Sequence, residues 1–511
     1  MRRLLLCLIA TLALASPAAA QPVVTSSAPD TVSVTVYRAP NRPAEAAIDR
    51  ADPEGFALIT ETRTVRLPAG RATIRFEGVA GNIFAETAIV AGLPQDVREK
   101  NLDADLLSPR SLYDRALGRR VMIRRTNPAT GRVTEEQAII RSGADGAAVL
   151  QTGGGYEDLR CSGLPQTLVY DGVPSGLSPK PTLLIETDSA TAKSLTLTLS
   201  YLAGGFDWQA DYVVQMRPDG RGADLFGWIT LASSDVTSFA AAGTQVVAGK
   251  PNRTADWSNF GKYGAARLTL KCWPMPDYGG LDPPSAPPPP PPPPPPVMMA
   301  PAPMERDMDI VVTGSHIARQ EELGDFKLYR IPDVVTVASK AQKQVALLSK
   351  QAVPLGMVYV SDIFEDGNEA TVPTLRAKNR VADGLGLPLP AGRAAVFEQA
   401  SGRPILVGDS TTDDKAIGED IEFKLAATPQ VSAEIDEVES KGRTSLYELV
   451  VTNANRWPIA YEAKIAARRG AAIKGAGTTL GKRDGKMLWT TIIPANGEAR
   501  LRYRIKEPRE D

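Results

Sequence analysis

The chain almost lacks histidine: His316 is the only one in 511 residues. A histidine-dependent triad therefore has one candidate, and it sits beside a proline tract, poor ground for a positioned base. Cysteine is nearly as scarce. Of the three, Cys7 lies in the N-terminal apolar run, which leaves Cys161 and Cys272 for the mature chain. One histidine and two distant cysteines do not make a zinc site, which needs several converging ligands. After the N-terminus no apolar run approaches the roughly 18 residues of a spanning helix. An excess of either charge is also missing. The formal charge of −1 becomes −3 when Arg2 and Arg3 leave with the leader, and near neutrality argues against a nucleic-acid binder. No nucleophile elbow exists: Gly172 and Gly176 flank a serine, Ser175, that stands one place late. Residues 476–483 echo a phosphate loop but fail it twice, with Ala476 for the first glycine and Arg483 after Lys482. They read as a β-turn. No catalytic, cofactor or metal site is expected from these residues.

What is present begins at the N-terminus. Arg2 and Arg3 precede an apolar run over residues 4–15. Ala18, Ala19 and Ala20 then offer the small residues that a signal peptidase reads, which predicts Gln21 as the new N-terminus. Cys7 is inside the run and not at its end, which argues against a lipid anchor. The expectation is a periplasmic or secreted protein, with no transmembrane segment once the leader is gone. ATP and NAD are scarce there and disulfides persist. Cys161 and Cys272, an even pair in that compartment, read as a disulfide. Two isolated thiols are the alternative, because pairing needs a proximity that sequence does not show.

Residues 287–296 are all proline. Such a run forms neither helix nor sheet and spans roughly 31 Å as polyproline II. Residues 277–322 are expected to be a disordered Pro-rich linker, with docking of a proline-reading domain as the lesser alternative. On either side the chain alternates with period two, at residues 31–37, 57–67, 72–76, 194–201, 446–451, 459–465 and 487–493. Gly, Pro, Asn and Asp punctuate these runs about every ten residues, as in sandwiches and barrels. One short helix is predicted, with Ser108 as N-cap, Pro109 in the first turn and Gly118 as its stop. Residues 121–169 read as short strands forming a small barrel of SH3-like size. The predicted fold class is mainly β: β-sandwich domains, a small inserted SH3-like β-barrel and the linker. The predicted order is a leader (1–20), an N-terminal β domain (21–107), helix plus barrel (108–170), a β-rich domain in two parts (171–276 and 323–511) and the linker between those parts.

Two carboxylates invite a catalytic reading. Asp207 and Asp211 flank Trp208 and suggest a glycosidase pair. On a strand, however, four residues cover about 13 Å, beyond the roughly 5 to 9.5 Å of paired glycosidase carboxylates. Alternation puts Asp207, Gln209 and Asp211 on one face and Trp208, Ala210 and Tyr212 on the other, which predicts a half-buried strand with an aromatic core face. Tyr201, Trp208, Tyr212 and Trp228 are the expected structural aromatics, with Trp208 and Tyr212 facing a sandwich core and Trp228 nearby on the following strand. Asp362, Glu365, Asp366 and Glu369 crowd one loop without calcium-loop spacing and read as a solvated acidic turn.

Tyr201, the bend at Gly204 and Gly205, Trp208 and Tyr212 form a pattern that resembles uncharacterised bacterial envelope proteins related to the mucoidy-inhibitor group. These share a C-terminal domain of unknown function. Residues 225–231 and 245–249 are similar to that family's next strands. Residues 324–335, with Phe326, Tyr329 and Pro332, resemble its re-entry after a variable linker. Residues 389–393 and 418–420 resemble its later turns, and residues 446–465, with Asn453, Trp457 and Pro458, its closing sandwich. The chain departs from the family at Ser233, Ser234, Asp235 and Val236, where relatives often carry an Asn-x-Ser-Gly-like turn. It also lacks the coiled coil many of them have. The resemblance implies an all-β envelope protein and brings no catalytic residues. Residues 309–317 are also similar to the segment before the plug of TonB-dependent outer-membrane receptors, with a generic exposed β segment as the alternative. The leading expectation is a non-catalytic binding or scaffolding protein whose partner is an unknown envelope protein or polymer. The alternatives are an envelope-polymer hydrolase using carboxylates and an accessory of outer-membrane receptors.

Overall fold

The computed structural model describes residues 21–249 and 317–508, apart from residues 44–45, 104–106, 128, 143–148, 159–165, 174–176, 219–221 and 325. The leader, Cys161, Cys272, His316, residues 309–316 and most of the expected linker lie outside the described residues. Strands make up 61% of the structure and helix 3%, which places the chain in the mainly-β class. The alternating runs form strands where expected: residues 31–37 are Thr31–Tyr37, 57–67 lie in Phe56–Leu67, and 459–465 are Ile459–Ile465. The linker boundary needs a correction. Arg319–Leu323 is a strand paired antiparallel with Phe326–Arg330, so ordered chain resumes before residue 322.

The described chain divides into two compact units that do not follow the linear order. One holds the residues before Ser33 together with Ile59–Ala203. The other holds Ser33–Leu58, the strands after Gly204 and the chain from residue 317 onward.

In the first unit, a four-stranded sheet runs in the order Val23–Ser26, Gly70–Glu77, Thr182–Ser189, Glu99–Asp103. Val23–Ser26 joins it in parallel and the other pairs are antiparallel. Inward positions such as Ile74, Phe76, Leu183 and Ile185 are fully buried, as period-two alternation requires. The same unit contains the inserted module. Its helix, Pro109–Arg115, starts at Ser108 with a capping box in which Ser108 and Ser111 exchange side-chain and backbone hydrogen bonds. It closes at Ala116, two residues before the expected stop. Gly118, at φ +76°, then turns the chain into Arg120–Thr126. Five antiparallel strands follow in the spatial order Gly155–Asp158, Val149–Thr152, Val133–Ile140, Arg120–Thr126, Gln166–Val169. Tyr113, Val121, Ile123, Ala138, Ile140 and Leu150 give the module a core of its own, at the small size that the turn spacing predicts.

The second unit is built on a five-stranded sheet in the order Ala341–Val353, Ala223–Ser233, Phe206–Met216, Gly392–Ala400, Arg403–Thr412. Phe206–Met216 runs parallel to Gly392–Ala400. The two approach so closely that a Cβ on Gly392 would press into the Ala210 carbonyl, so only glycine fits there.

The C-terminal part of this unit is a β-sandwich. One sheet runs Asp420–Lys424, Val372–Lys378, Gly356–Phe364, Ile459–Ile465, Lys486–Ile493, Gly481–Arg483. The other runs Val431–Lys441, Thr444–Asn453, Gly497–Lys506, Ala472–Gly475. Ile363, Tyr461, Ala463 and Trp489 from the first sheet share one core with Leu449, Val451, Leu501 and Tyr503 from the second. A buried amide closes one end. Asn453 is fully buried, and its Nδ2 donates to the carbonyls of Trp457 (3.0 Å) and Pro494 (2.8 Å). Its Oδ1 accepts from the Asn455 backbone at 2.9 Å. Asn453→Asp keeps the shape but puts a carboxylate against those carbonyls. The expected loss is about 3 kcal/mol, read as a lowered urea midpoint by tryptophan fluorescence.

Candidate functional site

Phe206–Met216 carries the residues that the sequence singles out, and its two faces differ in chemistry. On the aromatic face Trp208 is fully buried and Tyr212 nearly so. Trp208 Nε1 donates to the Val247 carbonyl at 3.0 Å, and the Tyr212 hydroxyl donates to the Pro390 carbonyl at 2.7 Å. The Tyr329 ring lies 6.4 Å from that of Trp208, and its hydroxyl donates to the Pro388 carbonyl. The Arg38 guanidinium sits 5.5 Å above the Trp208 ring. Burial pushes both the Tyr212 and Tyr329 phenols well above their ordinary range, so they act here as neutral hydrogen-bond donors. Burial, then the nearby Arg42 charge, lowers the Arg38 pKa from its ordinary value.

Trp228 is not part of this face. It pairs directly with Asp211, and directly paired residues share a face of the sheet. The expectation that it joins the Trp208 core is therefore corrected: Trp228 is half-buried on the polar side. The parity of residues 225–231 relative to 206–216 depends on the strand register, which the sequence does not carry.

The polar face is more buried than a half-buried strand implies, a second correction. Asp207 is 1% exposed. It accepts hydrogen bonds from the Ala39 backbone at 2.9 Å, the Trp208 backbone at 2.8 Å and Arg42 Nε at 2.8 Å. Arg42 also donates to the carbonyls of Trp208 and Ala46. The Ile48 backbone donates to Gln209 Oε1 at 3.1 Å. Ala39, Arg42, Ala46 and Ile48 thus cover the Asp207–Gln209 end of this face. Further along, Asp211 accepts from Gln209 (2.7 Å), Thr230 and Arg393 (3.1 Å), and Gln344 donates to Thr230 at 3.0 Å.

This arrangement determines what the two aspartates can do. A general acid or base must exchange a proton with substrate. Both oxygens of Asp207 are filled by donors of this chain, and Asp211 is held by three. They serve as anchors for a loop and for neighbouring strands. Sequence reading found the aspartates but missed Arg42, which is 165 residues away from Asp207 and stands in a run with no periodic signal.

At the C-terminal end of the same strand is an open groove of about 480 Å³, lined by Gln215, Met216, Arg217, Pro218, Asp224, Gln399 and Gly402. Its charges are already paired: Arg217 Nε donates to Asp224 Oδ1 at 3.1 Å, which also accepts from the Ala352 backbone. Gln215, Met216, Pro218, Gln399 and Gly402 line the rest.

Other candidate chemistry resolves into structure. The acidic turn is tied down rather than merely solvated. Asp362 pairs with Lys486, and Glu365 accepts from the Arg468 backbone at 2.9 Å. Residues 476–478 form bends between Ala472–Gly475 and Gly481–Arg483, as a turn there predicts. Arg376 bridges Glu422 and Glu462 at 2.7 and 2.6 Å, and Arg483 bridges Asp420 and Glu422 at 2.7 Å. In the first unit Tyr201, the remaining predicted aromatic, is fully buried and donates to Glu61 at 2.8 Å. Among the described residues no group of three or more histidine, cysteine or acidic side chains is placed to hold a metal ion. No helix there is long and apolar enough to cross a membrane. Neither a scan against protein-family models nor a search of curated proteins returned a match for this chain.

Proposed function

We propose that this chain is a non-catalytic binding or scaffolding protein of the bacterial envelope, exported to the periplasm or beyond by the N-terminal leader. The observation that carries the reading is the fate of Asp207 and Asp211. The carboxylates best suited to chemistry are consumed by donors of the chain itself, and Asp207 is buried beneath Ala39 and Arg42. The leader motif, the β-sandwich and the resemblance to mucoidy-inhibitor-related envelope proteins support the same reading. The partner is an envelope protein or polymer segment, and the groove beside Gln215 and Gln399 is its proposed seat.

The competing hydrolase reading makes an opposite prediction. The double variant Asp207→Asn, Asp211→Asn is expected to leave envelope-glycan turnover at the level seen with the unaltered protein. Circular dichroism shows whether the variant is folded. A large loss of turnover by a folded variant would establish catalysis and remove the scaffold reading. Crosslinking in cells from a photoreactive residue at position 399 is expected to capture a discrete envelope component.

A further inference from the structure

The outer face of the C-terminal four-stranded sheet carries its charges in separated columns. On Val431–Lys441 the residues of this face include Glu434, Asp436 and Glu439. On Gly497–Lys506, two strands away, they are Glu498, Arg500, Arg502, Arg504 and Lys506. Thr444–Asn453 lies between with Leu446, Glu448 and Val450. The register aligns them in rows: Glu434 with Val450 and Arg500, Asp436 with Glu448 and Arg502, Glu439 with Leu446 and Arg504. Val431, Ala433 and Ile435 point the other way, into the sandwich core, so the face assignment does not depend on the charges. Glu434, Asp436, Glu439, Arg504 and Lys506 are exposed. Among the described residues none of these five has a counterion, whereas Arg500 and Arg502 share Glu448.

Like charges stacked along one strand repel, and a monomer gains nothing from segregating them. The face as a whole is near neutral, which disfavours a polyanion or polycation as its partner. The pattern is instead complementary to itself. A two-fold axis lying in the interface, parallel to the strands, brings the acidic column of one copy onto the basic column of the other with rows in register. Glu434 then meets Arg500, Asp436 meets Arg502 and Glu439 meets Arg504, each twice. At the turn end Lys441 meets Lys506, one like pair against three opposite pairs per half. An in-plane axis across the strands would stack acid on acid and base on base. The charges therefore select one geometry.

We infer that this sheet face is a self-association surface, on which a second copy of the chain docks through a two-fold axis parallel to the strands. The axis lies over Thr444–Asn453, so three strands of about ten residues overlap, roughly 14 by 34 Å or about 490 Å² per copy, and the four-residue Ala472–Gly475 falls outside. A standard interface buries about 800 Å² per partner. Only Leu446 and Val450 give it an apolar centre. The dimer is thus a weak one, steered by charge and sensitive to salt.

Sedimentation velocity on the whole chain tests this. Dimer is expected to grow with concentration at low salt and to fall several-fold in 0.5 M salt. Two variants reverse the columns: Glu434→Lys, Asp436→Lys, Glu439→Lys in one, and Arg500→Glu, Arg502→Glu, Arg504→Glu in the other. Each alone should sediment as a monomer with an unchanged circular dichroism spectrum. An equimolar mixture should recover a dimer, since the two columns of one variant are then basic and both facing columns of the other acidic. A wild-type chain that stays monomeric at high concentration and low salt would overturn the inference. So would a dimer that survives in both variants, or dextran sulfate binding by monomeric wild type that the second variant loses.

Discussion

Arg63→Met is expected to cost the first unit about 3–5 kcal/mol, because it strands a carboxylate in the core. Arg63 and Glu61 are both fully buried, with Nε of Arg63 2.7 Å from Glu61 Oε2. Arg63 Nη1 also donates to the carbonyls of Ser26 (3.0 Å) and Glu77 (2.9 Å). Tyr201 donates to the other carboxylate oxygen, and the Ala80 backbone donates to the Tyr201 hydroxyl at 3.1 Å. Adding Glu61→Gln to Arg63→Met should return more than half of the loss, since the amide oxygen still accepts from Tyr201 and no bare charge is left. All six tryptophans lie outside residues 59–203, so the transition is followed by far-UV circular dichroism in urea. A double variant as unstable as the single one would show that the carbonyl contacts matter more than the charge.

The same pair carries a pH signature. Burial raises the Glu61 pKa from its ordinary 4.5, against the opposing pull of the Arg63 charge and the Tyr201 hydrogen bond. The folded carboxyl keeps its proton to higher pH than the unfolded one. Its contribution to stability is therefore full below the unfolded value and is lost as pH rises through the folded value. Removing Arg63 takes away one lowering influence, so the penalty of Arg63→Met should be smaller at pH 5 than at pH 8. Equal penalties at the two pH values would mean that Glu61 does not change its protonation state between them.

Trp208→Ala is the second large effect, about 3–5 kcal/mol. The side chain is fully buried, and its loss opens a cavity beneath Tyr329 and Arg38 while leaving the Val247 carbonyl without its donor. Trp208→Phe isolates the hydrogen bond and should cost about 1–3 kcal/mol. The urea transition of the second unit, read by the fluorescence of the other tryptophans, gives both values. Unchanged stability in Trp208→Ala would make the ring a ligand-stacking surface and not a core residue.

Strand existence was legible because period two needs only local sequence. Residues 31–37 and 459–465 alternate, and they fold as Thr31–Tyr37 and Ile459–Ile465. The short helix was legible for the same reason: Ser108 and Pro109 are local signals for a start. Its stop was misplaced because Gly118 serves the following turn, while the helix had already closed at Ala116. The faces of residues 206–212 were also readable, since alternation alone separates Asp207, Gln209 and Asp211 from Trp208 and Tyr212.

Register and long-range pairing were decided by the tertiary structure. Trp228 belongs to the polar face because it pairs with Asp211 and not with Trp208, and a one-residue slip would reverse that. Asp207 is sealed because Arg42 arrives from 165 residues away. Glu61 and Arg63 are two apart on one strand, so alternation puts them on one face, but only the packing of Ser26, Glu77 and Tyr201 around them makes that face a core. Composition and periodicity determined that this chain is mainly β. Strand pairing decided which of its charged and aromatic groups are locked inside and which face outward, because a side chain's partners depend on neighbouring strands that local sequence does not specify.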